Sequence, residues 1–352
     1  MRKFKKMAVL TVSAVMMSTL LSGCSIGNTA FKYGDIKVGL PEATVYAKIQ
    51  QYSAESQFAS YYGENMWDIE IQEGVTFEES VKENAIEQIK TVKVLADHAE
   101  DMKVSLSEEE KKEVKENVEN FVSGDMGKKI MESAEADEEL ISTIYEENAL
   151  ASKVHDAIIA DVDTNVTDEE AKVTTVYKLV FATKKTDTNG EEVTLSKEEQ
   201  KKQLSKAKKA YRALKKGADM TALAQQYDIA DDASESYSAG KSLGGESFEE
   251  AVAKLEEGEF TSIIKTDEGY VVAKLVTEMD KEKTEENKET VLEERQQEAY
   301  QKQLDQWTKD LEDDWDYEKD VSKKYREDLK FEFGEFSETT ETTATTAATE
   351  EK

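Results

Sequence analysis

Side chains able to do covalent or metal chemistry are scarce in this chain, and that scarcity bounds its function. Its 352 residues include one cysteine, Cys24, and two histidines, His98 and His155. A nucleophilic site needs a base within hydrogen-bond reach of a serine, cysteine or threonine. Both histidines fall in charged, helix-patterned sequence, where they read as partly exposed surface residues. Structural zinc takes about four cysteine or histidine ligands, so no metal and no cofactor are expected. Asp187-Thr188-Asn189-Gly190 echoes part of a calcium loop. Lys185 stands two residues before it and Ser196 at the last ligand position, so the EF-hand pattern fails and a polar turn remains. The run Lys201, Lys202, Lys206, Lys208, Lys209, Lys215 and Lys216 reads as the solvated face of one helix.

Cys24 has a different context. It closes Leu21-Ser22-Gly23-Cys24, after a basic start (Arg2, Lys3, Lys5, Lys6) and an apolar run from Met7 to Leu21. A charged stretch, a short apolar core and small residues at its end make a secretory signal. Fifteen helical residues rise about 22 Å, short of a bilayer core roughly 30 Å thick. The ending resembles a bacterial lipobox, in which the cysteine is diacylated through sulfur and becomes the new N-terminus. Two acyl chains hold a protein on a membrane, where one holds it marginally. The expectation is a signal peptide over 1–23 and a mature chain lipidated at Cys24, on the outer face of the bacterial cytoplasmic membrane.

The formal charge is −31. Removing residues 1–23 takes away four positive charges and no negative one, leaving −35. Such a surface stays soluble by self-repulsion and lacks the basic footprint that nucleic acid requires. With Cys24 acylated no disulfide can form, so each domain must be stable through its packed core.

Helical patterns dominate the first half. Residues 24–40 read as a short polar linker that accommodates a strand around Asp35–Leu40. Val45, Ile49, Tyr52, Ala59 and Tyr62 recur at helical spacing, and Gly63 offers a stop. Thr76 and Glu79 form a capping box before the apolar stripe Val81, Ala85, Ile89, Val92, Leu95, Ala99. Ser107 and Glu110 open the next helix, with Val114, Val118 and Phe121 on its face. More helix is expected from about Asp137 to Asp161. The texture changes after Val166. Val173, Thr175, Tyr177, Leu179 and Phe181 alternate as a strand. A lysine-rich helix follows from Ser196, then a short helix around Asp219–Tyr227. A loop broken at Gly240, Gly244 and Gly245 leads to a helix over Phe248–Leu255 and a last strand, Gly269–Thr277. This is a β-α-α-loop-α-β unit over 172–277. After it, Tyr300, Leu304, Trp307 and Leu311 form a helical stripe that needs a partner, and the N-terminal helices supply one. Residues 41–171 and 278–336 are therefore expected to build one helical domain with 172–277 inserted. Residues 337–352 carry no large apolar side chain and are expected to be a disordered tail.

Gly217-Ala218-Asp219-Met220, Leu223, Ala224, Tyr227, Gly244-Gly245, Phe248-Glu249-Glu250-Ala251, Leu255, Gly258-Glu259, Ser262–Thr266 and Gly269-Tyr270 follow one another in an order that resembles the parvulin-type (PpiC) peptidyl-prolyl isomerase domain. The resemblance spans the whole inserted unit. Tyr62–Asp68, the helix after Thr76 and Leu106–Glu110 resemble the helical half of PrsA-type foldase lipoproteins and their SurA-like relatives. The implied fold class is α+β: a discontinuous all-α chaperone domain, SurA-N or trigger-factor-like, holding a parvulin-like α/β domain.

The resemblance also implies site residues. Active parvulins usually carry a histidine in the first strand and another in the last. Those positions are Lys178 and Val271 here. Phe248 stands where an aromatic cups the proline ring. Leu243, or Gly244 in a register one residue away, takes the family's nearby apolar position, and Asp231 or Asp232 its acidic or cysteine position. Prolyl isomerisation breaks no bond; it lowers a rotational barrier of about 20 kcal/mol. Replacing both histidines by a cation and a β-branched side chain points to weak or lost activity. The expected function is thus an extracytoplasmic foldase acting on unfolded secreted proteins. An active isomerase and a non-catalytic lipoprotein adaptor are the alternatives, and a homodimer stays open beside the monomer.

Overall fold

The computed structural model describes residues 28–336 apart from Asn189 and residues 230–233. Cys24 and its leader, Asp231, Asp232 and the tail over 337–352 lie outside the described residues. Two compact units emerge. One takes the described chain up to Ala160 and again from Gln301; the other takes Asp161–Tyr300.

The first unit opens with an antiparallel hairpin, β1 (Thr29–Tyr33) and β2 (Ile36–Gly39). These residues read as linker, yet Ala30, Phe31, Tyr33 and Val38 are buried in the unit's core. Five helices follow: α1 (Leu40–Tyr62), α2 (Phe77–Asp97), α3 (Glu108–Ser123), α4 (Asp125–Ala134) and α5 (Glu138–Ala160). A short hairpin, β3 (Glu70–Gln72) with β4 (Val75–Thr76), separates α1 from α2. The capping boxes form as sequence chemistry requires. Thr76 Oγ1 accepts from the Glu79 amide, and the Glu79 carboxylate accepts from the Thr76 amide at 2.8 Å. Ser107 and Glu110 do the same for α3. The whole predicted stripe of α2, from Val81 to Ala99, is buried. On α1 only its first half is: Val45 is buried, while Tyr52 and Tyr62 are exposed.

The second unit is a four-stranded antiparallel sheet flanked by helices. Its strands are β5 (Val173–Ala182), β8 (Ser234–Ser238), β9 (Ile264–Lys265) and β10 (Gly269–Thr277), in the order β8-β5-β10-β9. A small ribbon of β6 (Lys184–Thr186) and β7 (Glu192–Thr194) follows β5. The strand period of two sorts the apolar side chains onto two faces. Leu179, Phe181 and Val272 face α6 (Lys197–Leu214) and α7 (Met220–Gln226). Val176, Val271, Ala273 and Leu275 face α8 (Glu246–Val252). The lysines of α6 are exposed, and its Ala207, Ala210 and Leu214 are buried.

Helix α9 (Lys281–Glu312) returns the chain to the first unit. Leu304, Trp307 and Leu311 pack on that unit's core, and Trp307 stacks on His98 at 4.1 Å. Gly34, at φ +60°, sits so close to Leu311 that a Cβ would lie 2.6 Å from it. Beyond the short helix α10 (Tyr317–Asp320), Val321, Tyr325, Phe331 and Phe336 are buried in the same core. Burying such side chains stabilises by roughly 1.5–3 kcal/mol each. The architecture is α+β, with a mainly helical unit made from both ends of the chain and an α/β unit between them. Among the described residues no helix is long and apolar enough to cross a membrane.

Candidate functional site

Lys178 lies near the middle of β5, on the face that otherwise carries Val176 and Val180. A lysine among β-branched neighbours is costly to bury unless its charge is met. Two carboxylates meet it. Glu235 of β8 stands opposite Val176 and brings Oε2 to 2.6 Å from the ammonium. Glu268, in the turn before β10, accepts from it with both oxygens, at 2.8 and 3.0 Å. The other oxygen of Glu235 accepts from the amide of Leu243 at 2.8 Å. One ion cluster thus ties the first strand, the edge strand, the β9–β10 turn and the loop before α8.

Burial alone pulls the Lys178 ammonium toward the neutral form. Its hydrogen bonds to Glu235 and Glu268, with their charge, outweigh burial and hold its pKa above 10.5. A lysine so held is neither nucleophile nor general base at neutral pH. Glu268 accepts hydrogen bonds from the ammonium with both oxygens, and Glu235 meets it as an ion pair.

The cluster forms one wall of a cavity of about 550 Å³, lined also by Val180, Tyr227 and Leu243. Leu243 stands on its rim, 70% exposed. Phe248 and Val271 occupy the same face of the sheet but are fully buried, in an apolar cluster with Val176, Tyr237 and Val252. The Tyr237 ring centroid lies 6.2 Å from that of Phe248. A Cβ on Gly244 would come within 2.4 Å of the Phe248 ring, so only glycine lets the loop close over it. The structure therefore brings Lys178 and Leu243 to the cavity and puts Phe248 and Val271 in the adjoining core. Asp231 and Asp232 precede β8 and lie outside the described residues.

Sequence reasoning missed both carboxylates. Ser234-Glu235-Ser236-Tyr237-Ser238 does alternate, but its serines and glutamate are poor strand formers. Glu268 sits in a turn and has no pattern of its own.

Residues 179–277 match the family model for the rotamase or PPIC-type PPIase domain. That span runs from inside β5 to the last residue of β10. The chain is also 27% identical over 268 residues to the foldase protein PrsA of Clostridium tetani (strain Massachusetts / E88), covering 70% of this chain and 74% of that protein. The chain is PrsA-like. Among solved structures it is similar to the peptidylprolyl isomerase PrsA of Bacillus cereus, at 23% identity and a TM-score of 0.36, over 71% of this chain and 88% of that one. It is similar too to PrsA of Bacillus anthracis, at 18% identity and a TM-score of 0.33, over 64% of this chain and 97% of that one.

Proposed function

We propose that this PrsA-like chain is an extracytoplasmic foldase, anchored through Cys24, that holds secreted polypeptides as they fold. Its PPIC-type unit has weak or lost prolyl isomerase activity. The observation that carries the second statement is the state of Lys178 and Phe248. The residue at the first histidine position is held in ion pairs with Glu235 and Glu268. The ring that would cup a proline is buried behind Gly244. Neither group is free to reach a prolyl amide. Holding an unfolded chain needs apolar area rather than a catalytic group, and the helical unit offers it. The active-isomerase reading draws its support from the cavity beside Lys178, with Leu243 at the rim.

Light scattering of a denatured client and catalysed isomerisation of a prolyl peptide test the reading together. The foldase suppresses scattering at stoichiometric amounts and accelerates isomerisation little. Failure to suppress scattering removes the foldase; strong isomerisation removes the claim of weak activity. The anchor has its own test. Cys24→Ala moves the protein out of the membrane fraction or leaves it unprocessed, and unchanged membrane retention contradicts it.

A further inference from the structure

Helix α1 ends in a surface that its own unit leaves open. Tyr61 is 81% exposed and Tyr62 53%, and Phe58 shows more than a third of its surface. Spaced at i, i+3 and i+4, they lie side by side on the helix. Phe58 contacts Tyr62 at 6.3 Å and Phe77 at 5.9 Å; Phe77 stacks on Trp67 at 5.4 Å, and Trp67 meets Phe331 at 4.9 Å. This ladder of rings leads from the buried core out to Tyr62. Ile71, on the β3–β4 hairpin that follows, is half exposed.

The charge of the same segment has one sign. From Ile49 to Val81 the sequence holds seven carboxylates and no lysine or arginine. Glu64, Asp68, Glu70 and Glu73 are exposed. The lysines that border the segment are engaged: Lys48 pairs with Glu335, and both Lys82 and Lys330 lie against Glu78. The last turn of α1 has no basic residue, so the negative end of its helix dipole adds to the field.

We infer that this surface docks a net-positive segment of unfolded polypeptide that carries aromatic or aliphatic side chains. The inference rests on the foldase reading and names its client chemistry. Apolar side chains of the client cover Phe58, Tyr61, Tyr62 and Ile71. Its lysines and arginines meet the exposed carboxylates and lie over the tyrosine faces, which attract cations. A second copy of this chain is the wrong partner, because it presents the same negative surface.

Fluorescence anisotropy on the protein tests this, with a labelled unstructured peptide of interspersed lysine and phenylalanine and its twin with glutamate for lysine. The protein binds the cationic peptide at least about tenfold tighter than the twin at low salt, and salt shrinks the difference. Tyr61→Ser with Tyr62→Ser, both exposed and checked for unchanged circular dichroism, weakens binding about tenfold. Glu64→Gln, Asp68→Asn and Glu73→Gln together remove most of the charge preference. Equal binding of the twins, or wild-type binding by either variant, overturns the inference. A dimer in sedimentation that Tyr61→Ser with Tyr62→Ser dissolves overturns it too, because the surface then joins two copies. If wild type and the tyrosine variant suppress client aggregation equally, the docking site is wrong and the foldase stands. If wild type neither suppresses aggregation nor binds the peptide, both fall.

Discussion

In the helical unit Lys48, Lys82 and Lys90 are each at most 3% exposed, and each reaches from α1 or α2 to the returning C-terminal chain. Lys48 donates to the Lys330 carbonyl at 3.0 Å and pairs with Glu335 at 2.7 Å. Lys82 donates to the carbonyls of Arg326 and Leu329 and pairs with Glu78. Lys90 pairs with Glu312 at 2.9 Å and lies over the rings of Tyr33 and Trp315. In the α/β unit Lys178 is just as buried, yet its partners are two carboxylates on a cavity wall. The three lysines of the helical unit fix a segment that joins its core from the far end of the chain. Apolar packing alone is tolerant of slippage, whereas a buried ammonium accepts few positions. Lys178 instead stands on a cavity wall, at the position where the resemblance places a histidine. One residue type ties a returning segment in one unit and lines a cavity in the other.

The largest effect expected from breaking this contrast is at Lys82. Lys82→Met takes from Glu78 its nearest cation, leaving it the Phe331 amide and the more distant Lys330, and takes the ammonium donor from two carbonyls; removing one partner of a buried pair costs about 3–5 kcal/mol. Urea unfolding followed by circular dichroism should show the helical unit losing that much, with Glu78→Leu in the same chain recovering part of it. A loss below about 1 kcal/mol means the returning segment does not depend on this tie.

Next come two neighbours at the candidate site. Phe248→Ala empties a fully buried position and should destabilise the α/β unit by about 3–5 kcal/mol. Leu243→Ala, on the exposed rim, should stay within about 0.5 kcal/mol. Unfolding curves of both variants separate a packing ring from a pocket wall; a nearly neutral Phe248→Ala would give the pocket reading new support.

Lys178 carries a smaller, pH-dependent effect. Its folded pKa lies above its ordinary value of 10.5. Its contribution is therefore complete below that value and is lost as pH rises through the folded pKa, because the folded state then holds the proton more tightly. Lys178→Met leaves Glu235 and Glu268 without a cation at a cost of about 1–3 kcal/mol at neutral pH. The variant should also lack part of the alkaline loss seen in wild type. Parallel alkaline profiles would mean the ion cluster adds no net stability.

The smallest effect is at the start of α3. The Lys153 ammonium and the Ser107 amide hold the Glu110 carboxyl down to about 2, from 4.5. Its contribution is full above 4.5 and fades as pH falls toward 2, where the unfolded chain takes the proton first. Glu110→Gln should flatten that part of the acid unfolding profile. An unchanged profile would show that this exposed cap adds nothing measurable.

Much of the fold was legible because its signals are local. The capping boxes at Thr76 and Ser107 and the stripe from Val81 to Ala99 require only neighbours in sequence. So does the alternation of Val173–Phe181. The stripe Leu304, Trp307, Leu311 pointed to a partner because a lone amphipathic helix must cover its face. The second strand of the first hairpin matches the strand expected around Asp35–Leu40, whereas β1 was hidden because Phe31 and Tyr33 are separated by Lys32 and followed at once by a turn. The half-open face of α1 was also invisible: periodicity marks an apolar side but not what covers it. At the candidate site Lys178 and Val271 stand out only against the family pattern. Glu235 and Glu268 meet Lys178 across separations of 57 and 90 residues, a distance no local rule reaches.

The central proposal is that the PPIC-type unit has weak or lost isomerase activity while the chain still holds clients. The most direct measurement is the catalysed rate of prolyl isomerisation by the wild-type protein in a protease-coupled peptide assay. With Lys178 engaged and Phe248 buried, the rate should stay within a few-fold of the uncatalysed reaction, whose barrier is about 20 kcal/mol. Acceleration by orders of magnitude, abolished by the fold-neutral Leu243→Ala, would contradict the account.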